Sequence, residues 1–256
     1  MRASVVHDPA PVPEDRPEPA AGQGPLSSPL SSTRRLLVVC AHPFDATLAL
    51  GGVIAAFADA GTAVQIVCLT HDPGPDPDAC RREVAAAELL RAAALLGARE
   101  ATLLEHRTAQ LQWNPPEVLA AELRSVAGPV DAVLTIDAGA PGSHPDHVRA
   151  MRAARRVAAR LGCPLYGWVR RTWDTPDPPD GVLAVGCDRT RQRAAVACHD
   201  APAPTDPVVP LRATDAAGAE SGGLDEPEDF LTVVQPAAPP TVLQVPARAA
   251  HRRSRR

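Results

Sequence analysis

Lysine is missing from this chain, and all 26 basic side chains are arginine. Aromatic residues amount to only 3% of the sequence, while proline is frequent at 29 residues. That combination points to a globular part flanked by sequence that cannot bury enough apolar surface to order itself. Excess charge of either sign is also lacking. The net charge is −4, too small to imply nucleic acid or an acidic surface as partner. No apolar run reaches the roughly 18 residues of a membrane span, so no membrane insertion is expected. The first residues are rich in proline and acid and show no apolar signal-peptide region. A cytoplasmic protein is the resulting expectation. Six cysteines occur singly (Cys40, Cys68, Cys80, Cys163, Cys187, Cys198) with no Cys-x-x-Cys. Neither a disulfide framework nor a zinc ribbon is implied, and buried thiols in a reducing compartment fit better. No Gly-x-Ser-x-Gly elbow is present, which weighs against a serine hydrolase. Gly51-Gly52 is not a Gly-x-Gly-x-x-Gly loop, and Asp72 is only a loose match to the acidic residue of a dinucleotide site.

What is present alternates. Leu36–Cys40 is a continuous apolar run, read as a buried parallel strand. A helix is expected from Leu48 to Asp59, capped by Thr47 or Asp45 and closed by Gly61. Val64–Thr70 is a second strand, leading into a Pro/Gly/Asp loop, His71–Asp78. An Ala-rich helix over Ala79–Leu96 follows, with Val84, Leu89, Ala92, Leu95 and Leu96 as its core stripe and Gly97 as its end. Strands are expected at Ala101–Leu104, Val130–Ile136, Pro164–Val169 and Val182–Val185. Helices are expected at Glu117–Ala127, Val148–Leu161 and Thr190–His199, with a last ordered piece at Glu228–Val234. This pattern predicts an α/β fold: a Rossmann-like parallel sheet with helices on both faces. Residues 1–33 are expected to be a disordered N-terminal segment, 34–234 the folded domain and 235–256 a disordered basic tail.

Two short stretches repeat one shape. Ala41-His42-Pro43-Phe44-Asp45 follows the first strand, and Gly142-Ser143-His144-Pro145-Asp146-His147 follows the strand at 130–136. Both fall beyond carboxyl ends of parallel strands, where ligands of such sheets bind. Imidazole and carboxylate together suit Zn²⁺ or another divalent transition metal. His42, Asp45 and His147 are the natural three ligands of a site with an open position. His144 would lie beside the metal, placed to donate to an oxyanion or to protonate a leaving group.

The order of strand, Ala-His-Pro-x-Asp, Gly-Gly helix, strand, Ala-rich helix ending in Leu-Gly, strand and Gly-x-His-Pro-Asp-His resembles the PIG-L/LmbE-like N-deacetylases. The resemblance spans roughly Arg34 to His199, with Ala195–His199 similar to that family's late helix and its histidine. It implies a zinc-dependent hydrolase that removes an acetyl group from an N-acetylglucosamine-type amide, a small-molecule substrate. By position it implies His42, Asp45 and His147 as metal ligands, with His144 and Asp146 as catalytic residues.

The chain departs from that pattern at three points. The family reads His-Pro-Asp-Asp-Glu, where this sequence has His42-Pro43-Phe44-Asp45-Ala46. The first aspartate, the family's general base, is therefore Phe44, and the glutamate is Ala46. The family's Arg-x-x-Glu keeps Glu88 here, but its arginine position is Ala85. Arg81, one turn earlier on the same face, is the candidate substrate-binding arginine, with Arg82 and Arg91 also near. General-base catalysis contributes about 10²–10⁴-fold, so the resemblance implies a slow enzyme. The alternative is a catalytically lapsed member that binds metal and ligand without efficient turnover.

Overall fold

The computed structural model describes residues 29–71, 79–169, 182–199 and 228–234. Seven strands form one sheet: β1 (Arg35–Cys40), β2 (Ala63–His71), β3 (Glu100–Arg107), β4 (Ala132–Ile136), β5 (Leu165–Val169), β6 (Val182–Gly186) and β7 (Glu228–Val234). Their order across the sheet is β3-β2-β1-β4-β5-β7-β6. The first five are mutually parallel, as the alternation predicts, with Val38 of β1 lying between Ile66 of β2 and Leu134 of β4. β7 is inserted antiparallel between β5 and β6.

The helices are α1 (Pro29–Ser32), α2 (Gly51–Asp59), α3 (Ala79–Leu96), α4 (Pro116–Val126), α5 (Pro145–Leu161) and α6 (Arg189–Val196). Successive side chains of β1 point to opposite faces. Leu36, Val38 and Cys40 join a core with α2, α3 and α6, whereas Leu37 and Val39 join a second core with α4 and α5. Helices thus cover both faces. Among the described residues no helix is long and apolar enough to cross a membrane.

Several expectations are corrected. Residues 1–28, 72–78 and 235–256 lie outside the described residues, so the expected terminal segments and most of the loop after β2 do too. Residues 29–32, expected without structure, make the one-turn helix α1, and the Thr33 carbonyl beyond it accepts from the Thr62 hydroxyl at 2.8 Å. Leu30 packs on the core, which supplies the apolar burial that composition alone did not reveal. The helix expected over 48–59 is broken in two. Its start, Asp45–Ala49, is a turn of π-helix closed by the Leu50 N–H on the Asp45 carbonyl at 2.9 Å. In α3, Leu89, Ala92 and Leu96 are buried, but Val84 and Leu95 are 45% and 43% exposed. Ala86 and Ala93 join Leu89, Ala92 and Leu96 on the inward face instead.

Candidate metal centre

β1 and β4, adjacent and parallel, end at the same edge of the sheet. The chain leaves β1 through Ala41 and His42, and Asp45 opens the π-helical turn. The chain leaves β4 and reaches α5, where Pro145 takes the first helical position and His144 is the N-cap. The topology therefore delivers both His-Pro stretches to one place, as expected. The donor atoms of His42, Asp45 and His147 lie within 4.8 Å of one another, and all three residues are buried.

The contacts form a chain. His147 Nε2 donates to Asp45 Oδ1 at 3.0 Å, and the other oxygen of Asp45 accepts from the His42 backbone N–H at 2.8 Å. His42 presents Nδ1 to Asp45 Oδ2 at 3.9 Å and donates from Nε2 to Asp146 Oδ2 at 3.2 Å. Asp146 is fully buried, and its carboxylate also accepts the backbone N–H groups of Ala109 (2.6 Å) and Leu111 (3.0 Å). Ala109 takes a left-handed φ of 63°, which turns its N–H toward that carboxylate. The rings of His42, His144 and His147 meet edge to face, with centroids 5.0–5.6 Å apart. The Asp146 N–H donates to His144 Nδ1 at 3.2 Å.

Burial alone would raise the Asp45 carboxyl, but the neighbouring His147 and His42 outweigh it and hold Asp45 below the usual carboxylate range. Burial acts upward on Asp146 too, and is overcome by the hydrogen bonds from His42 and Ala109 and by the charges of His42 and His144. Both carboxylates are thus anionic at neutral pH. Behind them Cys40 and Cys68 lie side by side on β1 and β2, and burial followed by the Asp45 charge pushes both thiols up, away from the thiolate a metal would need. Two imidazoles and one carboxylate with donor atoms within 4.8 Å of one another are a donor set that fits a divalent transition metal.

The side of the site around residue 44 has a different character. The Phe44 ring stacks on His199 at 4.3 Å. His199, whose side chain is 1% exposed, faces Glu88 of α3 through Nδ1 (3.5 Å) and Thr47 Oγ1 through Nε2 (3.3 Å). Burial pushes the His199 pKa down against the opposing pull of Glu88. Ala46 is 1% exposed in the apolar core, and Ala85 packs on the same core. Arg81 lies in the first turn of α3, but its side chain is outside the described residues. Sequence reasoning missed Gln192 of α6, whose amide donates to the carbonyls of Thr47 and Leu48. It also missed the Ala109–Leu111 donors, because backbone N–H groups leave no trace in residue type.

Residues 37–158 match the family model PIG-L: GlcNAc-PI de-N-acetylase. A deacetylase from Catenulispora acidiphila, 1D-myo-inositol 2-acetamido-2-deoxy-alpha-D-glucopyranoside deacetylase 1, is 26% identical over 67% of this chain. The chain spans 64% of that relative's length. A zinc-inhibited form of teicoplanin deacetylase Orf2 superposes with a TM-score of 0.50 at 17% identity, over 64% of this chain and 83% of that one, a likeness of fold. N,N'-diacetylchitobiose deacetylase from Pyrococcus horikoshii gives a TM-score of 0.49 at 22% identity, over 68% of this chain and 72% of that one. The motif order read from the sequence falls within the matched stretch, residues 37–158, which is similar to the PIG-L family.

Proposed function

We propose that this protein is a metal-dependent N-deacetylase acting on an N-acetylglucosamine-type amide. The observation that carries the reading is the convergence of the His42, Asp45 and His147 donor atoms within 4.8 Å at the carboxyl edge of the sheet. These three would hold Zn²⁺ or another divalent transition metal. When bound, such an ion polarises the amide carbonyl and acidifies a water molecule. Asp146 orients His42, since an imidazole that ligates through one nitrogen characteristically donates from the other to a carboxylate. His144 accepts at Nδ1 from the helix it caps, so its neutral ring carries the proton on Nε2. That N–H is the donor for the developing oxyanion, and the proton of the attacking water passes to the departing amine while acetate leaves as the second product. Arg81 is the proposed contact for the sugar. The proposed domain is 34–234, since β7 completes the sheet between β5 and β6.

Phe44 cannot accept a proton. Loss of a general base corresponds to about 3–5.5 kcal/mol of barrier, so turnover should be slow. The packing of Phe44 on the buried His199 favours a second reading, a lapsed member that binds metal and ligand without efficient turnover. Metal-loaded full chain, assayed for acetate release from N-acetylglucosaminyl substrates, tests the proposal. Slow release that disappears in His147→Ala supports the enzyme. Bound metal with no release, and release gained by Phe44→Asp, supports the lapsed reading.

A further inference from the structure

α6 and the residues just after it lie outside the family-matched stretch, yet they grip the turn that carries Asp45. Gln192 is 1% exposed, and its Nε2 donates to the carbonyls of Thr47 (2.8 Å) and Leu48 (3.0 Å). Its Oε1 accepts from Arg189 at 2.8 Å, which fixes the amide's orientation. Gly51 permits this approach: a Cβ there would stand 2.9 Å from Gln192 Cγ. His199 adds a contact at 3.3 Å to the Thr47 hydroxyl and a ring against Phe44. The Thr47 hydroxyl in turn donates to the Phe44 carbonyl at 3.0 Å. The π-helical turn beginning at Asp45 is therefore held at two carbonyls, one hydroxyl and one ring. A π-turn is a minor backbone state that persists where its surroundings determine it.

We infer that Gln192 and His199 are positioning residues of the metal centre: by fixing Phe44–Leu48 they aim the Asp45 carboxylate at His42 and His147. The inference rests on the metal reading of that cluster. The neighbouring Arg191 provides a built-in comparison. It pairs with Asp59 of α2 and donates to the Leu95 carbonyl of α3 at 2.8 Å, so it docks the same helix without touching the turn.

The test measures Zn²⁺ affinity of the full chain by competition with a chromogenic chelator, with the Co²⁺ visible spectrum as a probe of ligand geometry. Gln192→Met keeps the volume and removes the amide, and should weaken Zn²⁺ binding about 10–100-fold and change the Co²⁺ spectrum. Thr47→Val should act in the same direction, with Thr47→Ser restoring the wild-type value, which keeps the inference testable if Gln192→Met does not fold. Arg191→Ala should lower Tm and leave both metal readouts at wild type. Unchanged affinity in Gln192→Met and Thr47→Val overturns the inference alone, as does a loss of affinity in all variants that merely follows Tm. A wild-type chain that takes up neither ion overturns the metal reading and this inference with it.

Discussion

The two sides of the site around His42 have been treated differently. On one side His42, Asp45, His147, Asp146 and His144 form one connected cluster of imidazoles and carboxylates. On the other, where the family pattern that the sequence resembles has two acids and an arginine, this chain has Phe44, Ala46 and Ala85. These three positions are apolar, while Glu88 and His199 remain buried beside them. Ala46 and Ala85 pack into one core cluster, and Phe44 is stacked on a buried histidine.

That contrast can be broken from either side. The largest effect is expected from His147→Ala, which removes a ligand: bound zinc and acetate release should both fall to background, read by elemental analysis and a product assay. Phe44→Asp restores a carboxylate between His42 and Asp45 and should raise kcat by about 10²–10⁴-fold at unchanged metal content; no gain would mean that the apolar side does not limit turnover. His144→Ala should lower kcat by about 10²–10³-fold, as losing an oxyanion donor does, while zinc affinity stays at wild type. The smallest effect on the site belongs to Asp146→Asn. It disturbs the hydrogen bond that orients His42 and should weaken zinc binding about 10–100-fold, measured by chelator competition.

The ligand side was legible because its chemistry is written in residue types. Histidine is rare here, with eight in the chain, and three of them meet at the ends of two strands whose apolar runs were plain. The parallel order of β1 to β5 followed from strand–helix alternation, while antiparallel β7 carried no local sign of its direction. The break between the π-turn and α2 was hidden because Asp45 and Thr47 read as helix caps. Their side chains instead serve His147, the His42 N–H and the Phe44 carbonyl. In α3, Val84 and Leu95 are exposed while the smaller Ala86 and Ala93 are buried, which hydrophobicity ranking does not anticipate. His199 and Glu88 were each visible singly. Only the fold shows that they meet behind Phe44.

The most direct measurement is the metal content of the purified full chain beside that of His147→Ala. One divalent ion per wild-type chain, lost in the variant, is the predicted result. Equal metal in both proteins, or none in the wild type after loading with zinc, would contradict a centre built from His42, Asp45 and His147.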